Sequence, residues 1–114
     1  MDHAIQHKSF QFAVRIVKLC RYLQNEQKEF VLTKQLLRCG TSIGANVSEA
    51  QQAQSRADFI SKLNIALKEA CETNYWLRLL HATELLSPSE FQSIYSDCQE
   101  LERLLISIVK SAKE

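Results

Sequence analysis

The chain has 114 residues, of which 46% are hydrophobic and 24% charged, and its formal net charge is +1. This balance is typical of a single globular domain rather than a disordered or fibrous chain, and the small net charge gives no whole-molecule attraction for nucleic acid or anionic membranes. Only two glycines and one proline occur, which disfavours a turn-rich sheet protein and favours a few long helices joined by short connections.

Hydrophobic periodicity predicts four helices in one domain spanning residues 1–114, at about residues 9–24, 33–53, 56–86 and 88–112. Two helix starts have clear signals. Ser55 followed by Asp58 approximates a capping box, and Ser87 to Glu90 combine an N-cap, a first-turn proline and an N3 glutamate. Because the connections are short, we expect an all-α, antiparallel, up-down-up-down four-helix bundle.

The first predicted helix has two apolar stripes, whereas the second has one. The stripes of helix 1 are Phe10, Ala13, Val14, Val17 and Cys20, and Phe12, Ile16, Leu19 and Leu23. The inward stripe of helix 2 is Leu36, Cys39, Gly40, Ile43, Val47 and Ala50. Gly40 is expected to permit close approach of a neighbouring backbone. The stripe of helix 4 is Phe91, Ile94, Cys98, Leu101, Leu105, Ile108 and Ala112.

The third predicted helix is also apolar on two sides. Its expected core residues are Phe59, Leu63, Ala66, Ala70 and Leu77. Ile65, Trp76 and Leu79 lie on the opposite side, where a monomeric bundle would leave them in water. Exposed apolar patches of this kind usually mark interfaces, so we expect a homo-oligomer with these three residues at subunit contacts. The alternative is that the helices are rotated or splayed so that both stripes reach one core.

The sequence has no recognisable catalytic, cofactor or metal site. It lacks the Glu-x-x-His pairs of a di-iron bundle and any close cysteine pair typical of zinc sites. Cys20, Cys39, Cys71 and Cys98 are therefore expected to be free thiols. His3 and His7 precede the first predicted helix, and His81 is expected to form a hydrogen-bonded polar pair with Asn74 in the core.

Basic residues form a possible strip on the first two helices. The candidate RNA contacts are Lys8, Arg15, Lys18, Arg21 and Arg38. A solvated helix face explains the same residues. Residues 1–57 carry a net charge of +4 and residues 58–114 one of −3, so a third interpretation is that basic helices of one subunit meet acidic helices of the next.

The chain resembles the 23S rRNA intervening-sequence proteins, a bacterial four-helix-bundle family. The resemblance covers nearly the whole chain and is most specific at Gln35-Leu36, Arg38, Ser42-Ile43, Asn46-Val47, Glu49, Phe59, Ala66, Glu69, Glu72 and Trp76-Leu77. The chain has Glu49-Ala50 where the family commonly has Glu-Gly.

This resemblance implies a left-handed up-down bundle that forms a ring, typically a homopentamer, without enzymatic activity. Some members are encoded within insertions in ribosomal RNA genes, and a related basic branch assists reverse transcriptases. The motif residues Ser42, Asn46, Glu49 and Glu72 are expected to fix helix pairing or line the interface.

We therefore expect a non-enzymatic, homo-oligomeric protein that acts by binding or scaffolding. An RNA or ribonucleoprotein accessory and a metal- or ligand-binding bundle are the alternatives. Residues 1–10 lack the features of a secretory signal and no run approaches membrane-spanning length, so a cytoplasmic protein is expected, with no membrane partner.

Overall fold

The computed structural model describes residues 3–114. This range contains four helices, α1 (His3–Glu26), α2 (Leu32–Ala50), α3 (Arg56–Ala82) and α4 (Pro88–Lys113), in a body of 44 × 20 × 19 Å. The predicted all-α four-helix fold is confirmed. No helix in this range combines the length and apolar character needed to cross a bilayer.

The largest difference from the predicted boundaries is at the start of α1. The helix begins at His3 rather than near Ser9, so His3 and His7 are helical residues. Ile5 is fully buried in the core and Ser9 is buried as well. The apolar contact made by Ile5 stabilises the additional helical turns, which sequence periodicity alone had not included.

Neighbouring helices are antiparallel, because their contacts pair rising residue numbers on one helix with falling numbers on the next. These contacts are Lys8 with Glu100 and Arg15 with Asp97 between α1 and α4, Ser9 with Gly44 and Ile16 with Gly40 between α1 and α2, Arg38 with Glu72 and Glu49 with Lys62 between α2 and α3, and Ala70 with Cys98 and His81 with Phe91 between α3 and α4. α1 and α3 each pack against both α2 and α4. The bundle is therefore four-sided, with one helix at each corner.

One of the two α1 stripes supplies most of the α1 residues in the core. Phe12, Ile16 and Leu23 are buried, together with Cys20 from the other stripe, whereas Phe10 is 65% exposed. The six predicted inward residues of α2 are all buried. On α3 four of the five predicted core residues are buried and Phe59 is half-buried, and on α4 Val109 is buried while Ile108 and Ala112 are half-buried. The bundle thus encloses one core and leaves Phe10 exposed and Ala13, Val14 and Val17 half-buried at its edge.

The two glycines of α2 allow α1 to pack closely, but at different groups. A Cβ atom on Gly40 would lie 2.8 Å from Cγ1 of Ile16, so the close neighbour is a side chain and not the backbone predicted from the sequence. A Cβ atom on Gly44 would lie 3.1 Å from the carbonyl oxygen of Ser9, so the backbone approach occurs there. At both positions a Cβ atom would crowd α1 at the α1–α2 contact.

Side-chain caps define the helix starts. Ser87 and Glu90 form the predicted capping box of α4. Ser55 accepts the amide hydrogen of Asp58 at 3.1 Å, but the Asp58 carboxylate accepts from the amide of Gln54 rather than from Ser55. The Ser55 motif is therefore an approximate box, as its sequence suggests.

The start of α2 is capped from the preceding loop, since its N-cap residue Val31 makes no side-chain cap. The Glu29 carboxylate accepts the amide hydrogens of Val31, Leu32 and Thr33 at 3.2, 2.9 and 2.9 Å. Partial burial raises the pKa of Glu29, but the hydrogen bonds from Leu32, Thr33 and Val31 outweigh it, and the pKa lies below its ordinary value. Glu29 therefore carries its negative charge at the positive end of the α2 dipole.

Candidate self-association site

An apolar surface lies along the outer side of α1 and α2. We call it the α1/α2 face and define it by Phe10, Ala13, Val17, Leu37 and Ala45. Phe10 is 65% and Leu37 36% exposed. A groove of about 380 Å³ runs between the two helices beside Phe10, and its floor is formed by small residues that include Ala13 and Ala45. The surface can therefore accept bulky apolar side chains from another molecule.

Two basic residues continue the α1/α2 face at one end. Arg21 follows Val17 by one helical turn on α1, and Lys34 precedes Leu37 by one turn on α2. Both are exposed, and neither forms an ion pair within residues 3–114. No carboxylate lines the groove. The face is thus apolar along most of its length and positively charged at one end.

The predicted interface residues of α3 lie on the adjacent side of the bundle. Ile65 is 39% exposed, Trp76 and Leu79 are half-buried, and Trp76 also packs against the core. Their spacing places the three on one side of α3. The Trp76 indole N–H donates to Glu72 at 3.0 Å, which shows that this side borders α2. We call Ile65, Trp76 and Leu79 the α2/α3 flank.

A polar cluster joins α2 to α3 beside this flank. Arg38 pairs with Glu69 at 3.2 Å and also with Glu72, and Glu49 pairs with Lys62 at 3.0 Å. The hydrogen bonds from Trp76 and Arg38 hold the pKa of the Glu72 carboxyl below its ordinary value. Glu72 is therefore ionised at neutral pH and holds the Trp76 indole in place through a charge-assisted hydrogen bond.

The other two motif residues bond within their own helix. Ser42 Oγ donates to the carbonyl oxygen of Arg38 at 2.6 Å, and Asn46 Nδ2 donates to that of Ser42 at 2.8 Å. Ser42 and Asn46 are half-buried on the side of α2 that carries Arg38 and Glu49. The four motif residues are therefore found together along the α2–α3 seam.

Three of the five predicted RNA contacts are engaged in ion pairs within the chain. Lys8 pairs with Glu100 at 2.6 Å, Arg15 pairs with Asp97 at 2.5 Å, and Arg38 belongs to the cluster described above. Lys18 and Arg21 are exposed and have no ion pair in the described part of the chain. Two of the five predicted contact residues thus have no ion pair within the described residues. The five do not form a continuous strip of unpaired cations.

Some of the opposite charges of the two halves pair with each other within the chain. Every ion pair between residues 3 and 114 joins a residue of the first half to one of the second. Three of the eight cations in residues 1–57, Lys8, Arg15 and Arg38, are therefore matched by acids inside one subunit.

The four cysteines lie in surroundings that keep their thiols protonated. Cys20, Cys39 and Cys98 are buried and Cys71 is exposed, and all four are free. Burial raises the pKa of each thiol, that of Cys20 to about 12. Such thiols are protonated at neutral pH and are poor nucleophiles and metal ligands. No group of three or more His, Cys, Asp or Glu side chains in the described range could hold a metal ion.

The predicted pairing of His81 with Asn74 is wrong. The His81 ring stacks on Phe91 with centroids 4.2 Å apart. Asn74 instead donates to Glu102 at 2.9 Å and accepts from Arg78 at 2.8 Å. The two side chains are drawn to different partners because α4 presents an aromatic ring at one level and a carboxylate at the other.

Comparisons with known proteins cover most of the bundle. A family model described as 23S rRNA-intervening sequence protein matches residues 1–107. A crystal structure from Bacteroides thetaiotaomicron VPI-5482, of a protein with unknown function from the S23 ribosomal protein family, shares 63% identity and a TM-score of 0.92, covering 93% of this chain and 98% of its own. No curated protein matches. The range matched by the family model includes both apolar surfaces.

Proposed function

This chain belongs to the 23S rRNA-intervening sequence protein family, and we propose that it is a non-enzymatic protein that associates with copies of itself and acts by binding or scaffolding. The observation that carries this proposal is the pair of apolar surfaces on the two sides of α2, the α1/α2 face with Phe10 and Leu37 and the α2/α3 flank with Ile65. Five copies are the expected assembly.

The energetics favour covering these surfaces. Burying a Phe side chain completely stabilises a complex by about 1.5–3 kcal/mol, and Phe10 is 65% exposed in the single chain, so its burial would contribute about 1–2 kcal/mol. Leu37 and Ile65 would add about 1 kcal/mol each at most. A central aromatic anchor surrounded by smaller contacts is typical of binding hot spots.

The chemistry of the side chains supports binding rather than catalysis. The four thiols are protonated at neutral pH, and the carboxylates with lowered pKa values, Glu29 and Glu72, are engaged by amide, indole and guanidinium donors. The oxygens of both carboxylates already accept hydrogen bonds from their own chain, and a lowered pKa makes each a weaker proton acceptor.

An RNA or ribonucleoprotein accessory role is the second candidate. It is favoured by Lys18 and Arg21, which are exposed, and by Tyr22, which is 42% exposed beside them. It is disfavoured by Lys8, Arg15 and Arg38, whose ion pairs would have to open before these cations reach phosphates. Self-association uses surfaces that are already free and is therefore the leading proposal.

Light scattering during size exclusion, at low and high salt, tests the proposal. A mass near five times 13.1 kDa is expected, whereas a monomer of 13.1 kDa across a wide concentration range would overturn it. RNA binding is measured separately with a labelled single-stranded RNA, and an affinity that falls steeply with added salt would support the second candidate.

A matched pair of variants assigns the association to the apolar surface. Phe10→Glu is expected to reduce the mass because a charge would be buried in the contact. Ile106→Glu is the control, since Ile106 is 54% exposed on α4 and lies on neither surface. Both variants should keep the helical circular dichroism of the parent because both positions are exposed. Equal masses for the two would show that Phe10 is not at the contact.

A further inference from the structure

We propose that the outer side of α3 and α4 binds an acidic segment of another protein, with an apolar side chain of that segment as the anchor. We call this surface the α3/α4 face and define it by Tyr75, Arg78, Gln99, Arg103 and Ile106. In the four-sided bundle it lies opposite the α1/α2 face, so this binding does not depend on the self-association proposed above.

The α3/α4 face is basic although residues 58–114 carry a net charge of −3. Four acids of α3 and α4 form their ion pairs with α1 and α2, and they are Glu69, Glu72, Asp97 and Glu100. Arg78 and Arg103 are exposed, and neither forms an ion pair in the described part of the chain. The acids therefore turn towards the first two helices, and unpaired cations are left on the opposite side.

A small groove between α3 and α4 forms the centre of the α3/α4 face. It has a volume of about 240 Å³ and is lined by Asn74, Gln99, Glu102, Arg103 and Ile106. Ile106 is 54% exposed beside it. The groove can therefore hold one apolar side chain of a partner against Ile106.

Glu102 is the carboxylate in the groove lining, and its oxygens are engaged within the chain. Asn74 donates to Glu102 at 2.9 Å, and the thiols of Cys71 and Cys98 lie 3.6 and 3.9 Å from its oxygens. Arg78 donates to Asn74 through Nε at 2.8 Å, which leaves the two terminal nitrogens of its guanidinium for a partner. Such a planar group can bind a carboxylate in bidentate fashion.

Tyr75 and Arg78 are held in place before any partner binds. The Tyr75 ring is 50% exposed, packs edge-on against Trp76 with centroids 5.2 Å apart, and lies 5.8 Å from the Arg78 guanidinium carbon. Tyr and Arg are enriched among the residues that dominate binding energies. Side chains that are already ordered also lose less entropy on binding. The pair is therefore suited to recognising another protein.

The length of the face sets the length of the partner segment. Cys98 contacts the carbonyl oxygen of Ala70, and Arg78 and Ile106 each lie eight residues further along their antiparallel helices. At about 1.5 Å per residue, the two ends of the face are about 24 Å apart. A segment that spans it would have about 16 residues if helical or about seven if extended.

The chemistry of the face favours a protein partner over RNA. Affinity for RNA comes mainly from neutralising several phosphates, whereas this face has two unpaired arginines, with Lys110 one turn beyond Ile106. Gln99 is half-buried in the groove, and its amide can both donate to and accept from a peptide backbone. An acidic segment would supply carboxylates to the arginines and an apolar side chain to the groove, which makes the two surfaces complementary.

Selection from a displayed library of random peptides of about 16 residues tests the proposal. The library is first depleted on the chain with Arg78→Glu and Arg103→Glu and is then selected on the wild type. We expect the retained peptides to be rich in Asp and Glu around an apolar residue. Their affinity, measured by fluorescence anisotropy, should weaken about tenfold with Arg78→Ala, with Arg103→Ala and with Ile106→Ser.

The chain with Lys18→Glu and Arg21→Glu is the matched control. It carries the same change in net charge at exposed cations of α1 that have no ion pair within residues 3–114. The selected peptides should bind this control nearly as tightly as the wild type. Equal loss of binding in the two charge-reversed chains would show that the peptides respond to overall charge, and the proposal would be overturned.

The remaining outcomes also decide the matter. The proposal fails if no peptide survives depletion or if the surviving peptides have no excess of Asp and Glu. It also fails if a labelled single-stranded RNA, and not the peptides, loses affinity with Arg78→Glu and Arg103→Glu. If this pair lowers the mass of the assembly, the face is a contact between copies instead. A monomeric wild type would overturn self-association and leave this proposal standing.

Discussion

Substitution of Gly40 by alanine tests the α1–α2 contact that positions the α1/α2 face. The new Cβ would lie 2.8, 2.9 and 3.1 Å from Cγ1, Cγ2 and Cδ1 of Ile16. Ile16 is fully buried, and its β-branched side chain has one preferred rotamer in a helix. Overpacking of this kind costs about 1–3 kcal/mol, and the better helix propensity of alanine returns about 1 kcal/mol. We expect a net loss of about 1 kcal/mol in the free energy of unfolding.

The sign of this effect should reverse when Ile16 is replaced by alanine. Ile16→Ala removes all three crowded atoms, so Gly40→Ala on that background should stabilise the protein by about 1 kcal/mol through helix propensity alone. Gly44→Ala is the control, because its close neighbour is the backbone oxygen of Ser9, and Ile16→Ala should not rescue it. The assay is urea unfolding followed by circular dichroism at one fixed protein concentration. A Gly40→Ala effect of the same sign and size in both backgrounds would refute the argument.

Three further predictions concern other parts of the chain. Glu84→Gly should raise the free energy of unfolding by about 1 kcal/mol, because Glu84 has a φ of 66° at the end of α3 and left-handed backbone favours glycine; an unchanged or lower urea midpoint would contradict this. Glu29→Gln should lower stability at pH 7 by about 1 kcal/mol through loss of the α2 cap. The folded-state pKa of Glu29 is lowered, so its contribution to stability is present above the unfolded-state pKa and is lost as the pH falls through the folded-state pKa. The stabilities of the variant and the wild type should therefore converge in acid. Parallel curves of stability against pH would rule out the charged cap. In a thiol-labelling time course on folded protein, Cys71 should react first and the other three cysteines only on unfolding; simultaneous labelling of all four would disprove their burial.

Sequence patterns predicted the fold well because the main signals are local. The Ser87 capping box and the α2 stripe depend on residues within a few turns of each other, and both were predicted correctly. The start of α1 was missed although Ile5 continues the Phe12 and Ile16 stripe at helical spacing. Its polar neighbours masked the signal, and only burial of Ile5 in the assembled core reveals that the helix extends so far.

The candidate site was less predictable because it depends on which side of each helix meets its neighbours. The sequence shows two stripes on α1, but the packing of α2 and α4 decides that Phe12 is buried and Phe10 is exposed. Leu37 was not identified, since it directly follows the buried Leu36 and its exposure depends on the rotation of α2. The pairing of Lys8 with Glu100 likewise depends on the register of helices far apart in sequence.

The distribution of charge finally indicates how the association should respond to salt. Exposed ion pairs contribute about 0–1 kcal/mol each, so exchanging the pairs of Lys8 or Arg15 within one subunit for equivalent pairs between subunits would gain little. Burial of Phe10 and its apolar neighbours is not screened by salt. The assembly mass should therefore persist at high salt, whereas an assembly that dissolves on addition of salt would show that its contacts are chiefly ionic.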